Sequence, residues 1–292
     1  MPLTALALIL VAALLHAGWN IVAKRADGGP HFALWSALAV SLLWAPLGLW
    51  LTWQHAPGFS WREWALILAS GLVHVAYFQV LLTGYRRADL TVVYPVARGT
   101  GPLVAAAGAV LLLGETLSAR GAAGVLGVCA GVFLIAGGPA LLARRHAAAQ
   151  RSRVLAGLRW GGLTGLLIAV YTVIDGYAVK VALISPIVLD YLGNLLRLPV
   201  LGPRALADRA GFLAEGRRNW RAVLLMGAVS PLAYVLVLYA VQLAPLSHVA
   251  PAREVSMLFA ALIGGKLLGE GDRRARLAGA ACIALGVMLL AL

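Results

Sequence analysis

Ten apolar runs, most of them roughly twenty residues long, follow one another along this chain, at 3–23, 33–53, 63–85, 89–113, 119–142, 160–183, 186–203, 220–243, 246–268 and 275–292. A run of that length crosses the hydrocarbon of a bilayer as a helix, because a spanning backbone must satisfy its own hydrogen bonds. Barrel strands are the other solution, but they alternate over about ten residues, and these runs neither alternate nor stop there. The expected fold is an all-α membrane protein with ten transmembrane helices. Composition agrees: 62% of residues are hydrophobic and 12% charged, where a soluble domain carries about 25% charge. The formal net charge of +13 sits mostly on arginines in short connectors. Arginines placed there act as topology signals, so no nucleic-acid partner is expected. The first run lacks a basic n-region and reads as a retained span, not a cleaved leader. Cys129 and Cys282 lie inside apolar runs without metal or redox spacing.

The two halves repeat each other. At a shift of 156, Lys24 falls on Lys180, Thr91 on Ser247 and Pro95 on Pro251. After that proline the shift becomes 155: Arg98 falls on Arg253, Gly114 on Gly269, Glu115 on Glu270, Gly124 on Gly279 and Gly131 on Gly286. One residue is missing from the second copy just past Pro251. The longest polar connector, Ala143 to Val154, lies near the midpoint. The division is therefore a five-helix repeat at 3–142, a basic connector at 143–159 and a second five-helix repeat at 160–292.

An odd number of spans per copy makes the second copy enter from the opposite side. Inverted repeats of this kind enclose a central cavity near the midplane and let it open to either face. Connectors after spans one, three, five, seven and nine hold seventeen Lys and Arg residues, against Arg62, Arg120 and Lys180 on the other side. By the positive-inside rule both termini are then expected outside.

The "P-x-x-R … G-E" stretch from Pro95 to Glu115, the following "GAAGVLGVCAGVFLIAGG" and the "HAGWNIVAKRA" of the first span resemble the EamA-type transporters of the drug/metabolite transporter superfamily. The resemblance extends over essentially the whole chain, once per half. It implies a multi-pass secondary transporter of small metabolites in the cell (inner) membrane, often an exporter, driven by protons or by exchange with a counter-substrate. Many ten-helix relatives keep both termini in the cytoplasm, and the loop charges here depart from that.

Arg98 and Arg253 are the first site candidates. A charge at a helix centre costs about 2.5–3.5 kcal/mol on insertion scales and is rarely kept without use. Each follows a proline, which frees a carbonyl and bends the helix toward a wet cavity. They bind an anionic group of the substrate, or they form a structural pair with an acid. Glu254 has no acidic twin, since its counterpart is Gly99, and is a candidate for proton coupling or for an ion pair with Arg98. Arg253, its neighbour in sequence, is expected to point elsewhere on the helix. Asp175 is the second unmatched acid and the second proton-coupling candidate, with Tyr171 one turn earlier. His16 and Asn20 share a face of the first span with Trp19. His74, Tyr77 and Phe78 share a face of the third, and Tyr234 holds a comparable place in the eighth. Lining a substrate cavity and interhelical hydrogen bonding or packing both remain open for these residues.

Other polar residues read as structural. Asp190, Asn194 and Arg197 form a stripe with a structural role or that of a lateral gate, Lys24 and Lys180 snorkel toward headgroups, and Glu115 and Glu270 fix the turn into the next helix. Glycines at Gly127–Gly131 and Gly161–Gly165 allow close helix contact, within one chain or in a homodimer. No catalytic motif, metal site or cofactor is expected. The expected activity is transport of a small polar or amphipathic metabolite by alternating access. The rival is a flippase of the same fold acting on lipid or lipid-linked headgroups.

Overall fold

The structure is a computed structural model and describes residues 1–26, 28–88, 90–136, 148–259 and 273–292. Within them the chain is helical throughout: α1 Leu3–Arg25, α2 Phe32–Leu43, α3 Ala45–His55, α4 Trp61–Arg87, α5 Leu90–Leu113 and α6 Ala119–Ile135 in the first half. The second half holds α7 Ala148–Lys180, α8 Pro186–Leu195, α9 Arg197–Ala207, α10 Arg209–Leu243, α11 Leu246–Ala252 and α12 Arg273–Ala291. Five of these helices are long and apolar enough to cross a membrane, and the α2–α3 pair, bent by 65°, makes a sixth if it counts as one span.

Local chemistry explains where several helices begin. Ser60 and Glu63 form a reciprocal capping box at α4, with the Ser60 N–H donating to Glu63 Oε2 at 2.6 Å. Ser118 accepts from the Gly121 N–H at the start of α6, and Asp208 from the Gly211 N–H at the start of α10. Gly114, at φ +67°, supplies the left-handed turn that ends α5.

Two expected continuous spans are each two helices. The run at 33–53 breaks at Trp44, where Pro46 cannot continue the hydrogen-bond ladder of α2. The run at 186–203 divides between α8 and α9 at Leu196. Two other helices are longer than their apolar runs. α7 starts at Ala148, inside the connector, because "AAQRSRVLAGLR" holds strong helix formers and lacks proline. α10 starts at Arg209, the residue after its Asp208 cap and well before the apolar run. The segments expected at 119–142 and 246–268 extend past the described residues, as do Gly269 and Glu270.

Packing pairs the halves reciprocally. α1 lies along α10 and α7 along α4. By the shift between copies α1 corresponds to α7 and α4 to α10, so these are the same contact with the partners exchanged. α6 and α12 run antiparallel, with Gly124 against Gly286 and Gly131 against Gly279. The second glycine cluster faces α5: a Cβ on Gly161 would fall 2.8 Å from the Val93 carbonyl oxygen, and one on Gly165 3.1 Å from that of Ala97. Both clusters are used inside the chain. Small residues let backbones approach closely, which drives association in lipid. The core between the halves includes Ile9, Ala105, Val128, Leu189, Val249 and Ile283. Leu42, Trp53, Leu111 and Leu112 stay exposed on the outer surface, as lipid-facing side chains do.

Candidate functional site

The site forms where α5 of the first half meets the end of α11 in the second. Pro251 lies inside α11, which stops at Ala252. Arg253 and Glu254 make a turn, bridged by three-residue bonds: Glu254 N–H to the Pro251 carbonyl at 2.9 Å and Met257 N–H to the Glu254 carbonyl at 2.8 Å. The break falls where the second copy lacks one residue. α5 by contrast runs on unbroken past both Pro95 and Pro102.

The broken turn corrects one expectation. On a regular helix neighbouring side chains diverge by about 100°, yet Arg253 Nε lies 3.5 Å from Glu254 Oε1. Arg98 Nη2 approaches the other carboxylate oxygen at 3.3 Å. Glu254, only 2% exposed, is thus held between two guanidinium groups, one from each half. Tyr94, one turn before Arg98, donates to the Met257 sulfur at 3.2 Å and fastens the same two segments.

A second group adjoins the first. Asp175 of α7 is 1% exposed and accepts a short hydrogen bond from the Tyr234 hydroxyl of α10. His74 Nε2, on α4, lies 3.9 Å from the same carboxylate oxygen. His74 Nδ1 sits 2.9 Å from the Ser70 carbonyl oxygen, which only accepts, so Nδ1 carries the hydrogen. The His74 ring stacks on Tyr171 at 4.0 Å, and Tyr77 meets Tyr171 edge-on at 5.6 Å. Arg253 joins the two groups, acting electrostatically on Asp175, Tyr171 and Tyr234. Beside them a small cavity is lined by Thr172, Tyr234, Val237, Leu246, Val249 and Arg253.

His16 of α1 lies within electrostatic reach of Arg98 and Arg253 and packs edge-on to Trp19 at 4.8 Å. Asn20 is not brought in. Its side chain is exposed and donates back to the His16 carbonyl at 2.7 Å. The other nine nominated residues, His16, His74, Tyr77, Arg98, Tyr171, Asp175, Tyr234, Arg253 and Glu254, share one connected region. Several of its buried polar atoms have no hydrogen-bonding partner in the protein: Arg98 Nε, Thr172 Oγ1, Asp175 Oδ1 and Glu254 Oε2. Open valences on both a donor and acceptors suit a polar guest that carries both kinds of group.

Other polar residues fasten helices. Asn194 donates to the Ala37 carbonyl and to Ser41 Oγ, tying α8 to α2. Lys180 does not extend to headgroups; it lies 3.3 Å from Glu115 Oε1 and donates to the Ala244 carbonyl at 3.1 Å. Glu115 does not brace its own next helix. It accepts the Leu246 and Ser247 N–H groups at 2.7 and 2.8 Å, so it caps α11 of the other half. Sequence reasoning missed Ser70 and Thr172, although Ser70 stands one turn before His74. It also missed a cluster joining the α1–α2 and α9–α10 connections. There His31 Nε2 meets Asp208 Oδ2 at 2.9 Å, and the His31 N–H donates to Glu215 at 3.0 Å. The His31 bond, helped by the Gly211 N–H, holds the Asp208 carboxyl below its ordinary range.

A membrane protein that is helical among the described residues, with charged and aromatic side chains gathered between paired halves, has the build of a membrane transporter. The sequence matches the EamA-like transporter family model over residues 3–137 and again over 155–292, so the chain belongs to that family, part of the drug/metabolite transporter superfamily. A solved structure described only as a crystal structure of a protein shares 17% identity, covering 99% of this chain and 96% of its own, with a TM-score of 0.72. That likeness concerns the fold. A search of curated proteins gives no match.

Proposed function

We propose that the chain is a secondary transporter of ten spans, in two inverted five-helix repeats, that moves a small polar or amphipathic metabolite across the cell membrane by alternating access. The observation that carries this reading is the Arg98–Glu254–Arg253 contact. It joins the two halves through charges that are expensive to hold in lipid unless they serve a wet chamber. The exchanged α1–α10 and α7–α4 contacts, and the antiparallel α6–α12 crossing, support a two-fold axis lying in the membrane plane. His74, Tyr77, Tyr171 and Tyr234 supply ring faces and edges for the organic body of the substrate. An outward direction is carried over from the family resemblance. Purified protein in liposomes tests the reading: solute flux that depends on the protein and shows counterflow supports a carrier. Movement of labelled phospholipid between leaflets without solute flux would instead favour a flippase. Within that assay Arg98→Ala and Arg253→Ala weaken anionic substrates more than neutral ones; equal weakening would make the arginines structural.

A further inference from the structure

Charge balance in the site points to what it carries, given the carrier reading above. Arg98 and Arg253 contribute two positive charges, and arginine keeps its proton in proteins. Glu254, within 3.3 and 3.5 Å of them, contributes one negative charge held from both sides. Together these three ion-paired groups leave one positive charge.

Asp175 stands apart. The groups facing it are Ser70 and His74 from α4, Tyr234 from α10, Arg253 beyond α11, Asp190 from α8 and Tyr171 one turn earlier on its own helix. Arg253 is engaged with Glu254, and Asp190 faces Arg197. Among the described residues no lysine or arginine lies within ion-pair distance of the Asp175 carboxylate. His74 keeps its hydrogen on Nδ1 and turns Nε2 toward the carboxylate, so it is counted as neutral. Of the two carboxylates among the site's nine residues, Asp175 is therefore the one without an arginine at ion-pair distance.

We propose that Asp175 carries the transported proton and that the site takes one small organic monoanion, a monocarboxylate, together with it. With Asp175 ionised, the empty site sums to zero. With Asp175 protonated it sums to one positive, and a bound monoanion returns it to zero. The mixed states, proton without anion or anion without proton, each leave an uncompensated charge in a low-dielectric interior and are strongly disfavoured. Only the two neutral states cross readily between faces, so one proton and one anion travel in the same direction. Arg98 Nε, a donor with no acceptor in the protein, is placed to meet a carboxylate oxygen. Net direction then follows the combined gradients, and an anion accumulated inside leaves with its proton.

The test uses the full-length chain in liposomes with the membrane potential clamped. Labelled lactate, pyruvate, benzoate and salicylate are offered beside choline and glucose. At least one monocarboxylate is expected to enter under an inward acid gradient, saturably and faster than into protein-free liposomes, with no dependence on voltage. Its apparent affinity is expected to weaken about tenfold per unit rise in pH while Asp175 is ionised, as one linked proton requires. Asp175→Asn is expected to abolish gradient-driven entry and flatten that slope. Transport of choline or glucose but no monocarboxylate overturns the monoanion assignment and leaves the carrier reading standing. Monocarboxylate flux indifferent to pH overturns the proton assignment. Absence of flux for every solute overturns both. Should Asp175→Asn fail to fold, protons counted beside labelled anion in the unaltered chain decide: one per anion upholds the coupling, none removes it.

Discussion

Gly131 in the first half lies so close to Gly279 in the second that a Cβ on Gly131 would fall 2.5 Å from the Gly279 carbonyl oxygen, and one on Gly279 2.7 Å from that of Gly131. Gly124 and Gly286 repeat the contact on the same pair of helices. Since Gly124 corresponds to Gly279 and Gly131 to Gly286, each contact is the other with its partners exchanged, as in an isologous dimer interface.

That geometry makes a paired prediction. Gly131→Ala must push backbone against backbone and is expected to lower stability by about 1–3 kcal/mol. Gly162→Ala, with nothing within 4 Å of the new methyl, is expected to be neutral or stabilising by up to about 1 kcal/mol. Thermal unfolding of both variants in detergent checks this, and equal melting temperatures would dissolve the crossing argument.

Glu254 compensates two buried cations at once. Glu254→Gln leaves both without a countercharge and is expected to lower stability by about 3–5 kcal/mol, the usual effect of removing one partner from a buried pair. Adding Arg98→Gln to that variant is expected to restore part of the loss. A double variant no more stable than the single would mean that Arg98 is not the partner.

Glu115 ties pH to the seam between the halves. Burial raises its pKa, but the N–H groups of Ser247 and Leu246, with Lys180, outweigh burial and leave it below the ordinary 4.5. A depressed carboxyl stabilises the fold fully above its unfolded pKa, and that contribution disappears as pH falls through the folded value. Acidification from about pH 6 to about pH 3 is expected to lower the melting temperature of the unaltered chain more than that of Glu115→Gln. Parallel curves would mean that the cap contributes nothing.

Both termini are expected outside, as the connector arginines require under the positive-inside rule. A carboxy-terminal reporter that is active only in the cytoplasm is expected to stay silent, and one inserted near Arg218 to be active. The reverse pattern would place both termini inside and show that the connector charges do not set topology.

Much of this was visible in one dimension. A duplicated Arg, Gly and Pro pattern and rare charges in oil are signals that need no contact map, and they led to Arg98, Arg253, Glu254 and Asp175. The turn at Arg253–Glu254 was not visible, because a deletion reveals a change of register but not how the backbone absorbs it. Lys180 with Glu115, and His31 with Asp208 and Glu215, are meetings of residues distant in sequence, and no spacing announces them. Asn20 misled for the converse reason. Sharing a face with His16 says nothing of whether that face turns inward, and its amide is satisfied by its own helix.

A pocket with true two-fold symmetry would hold a guest equally well either way round. The residue lost after Pro251, and the acid standing where the first copy has Gly99, remove that equivalence. On the carrier reading proposed above, the guest has an assigned head and tail, and the two doors of the passage greet opposite ends of the same molecule.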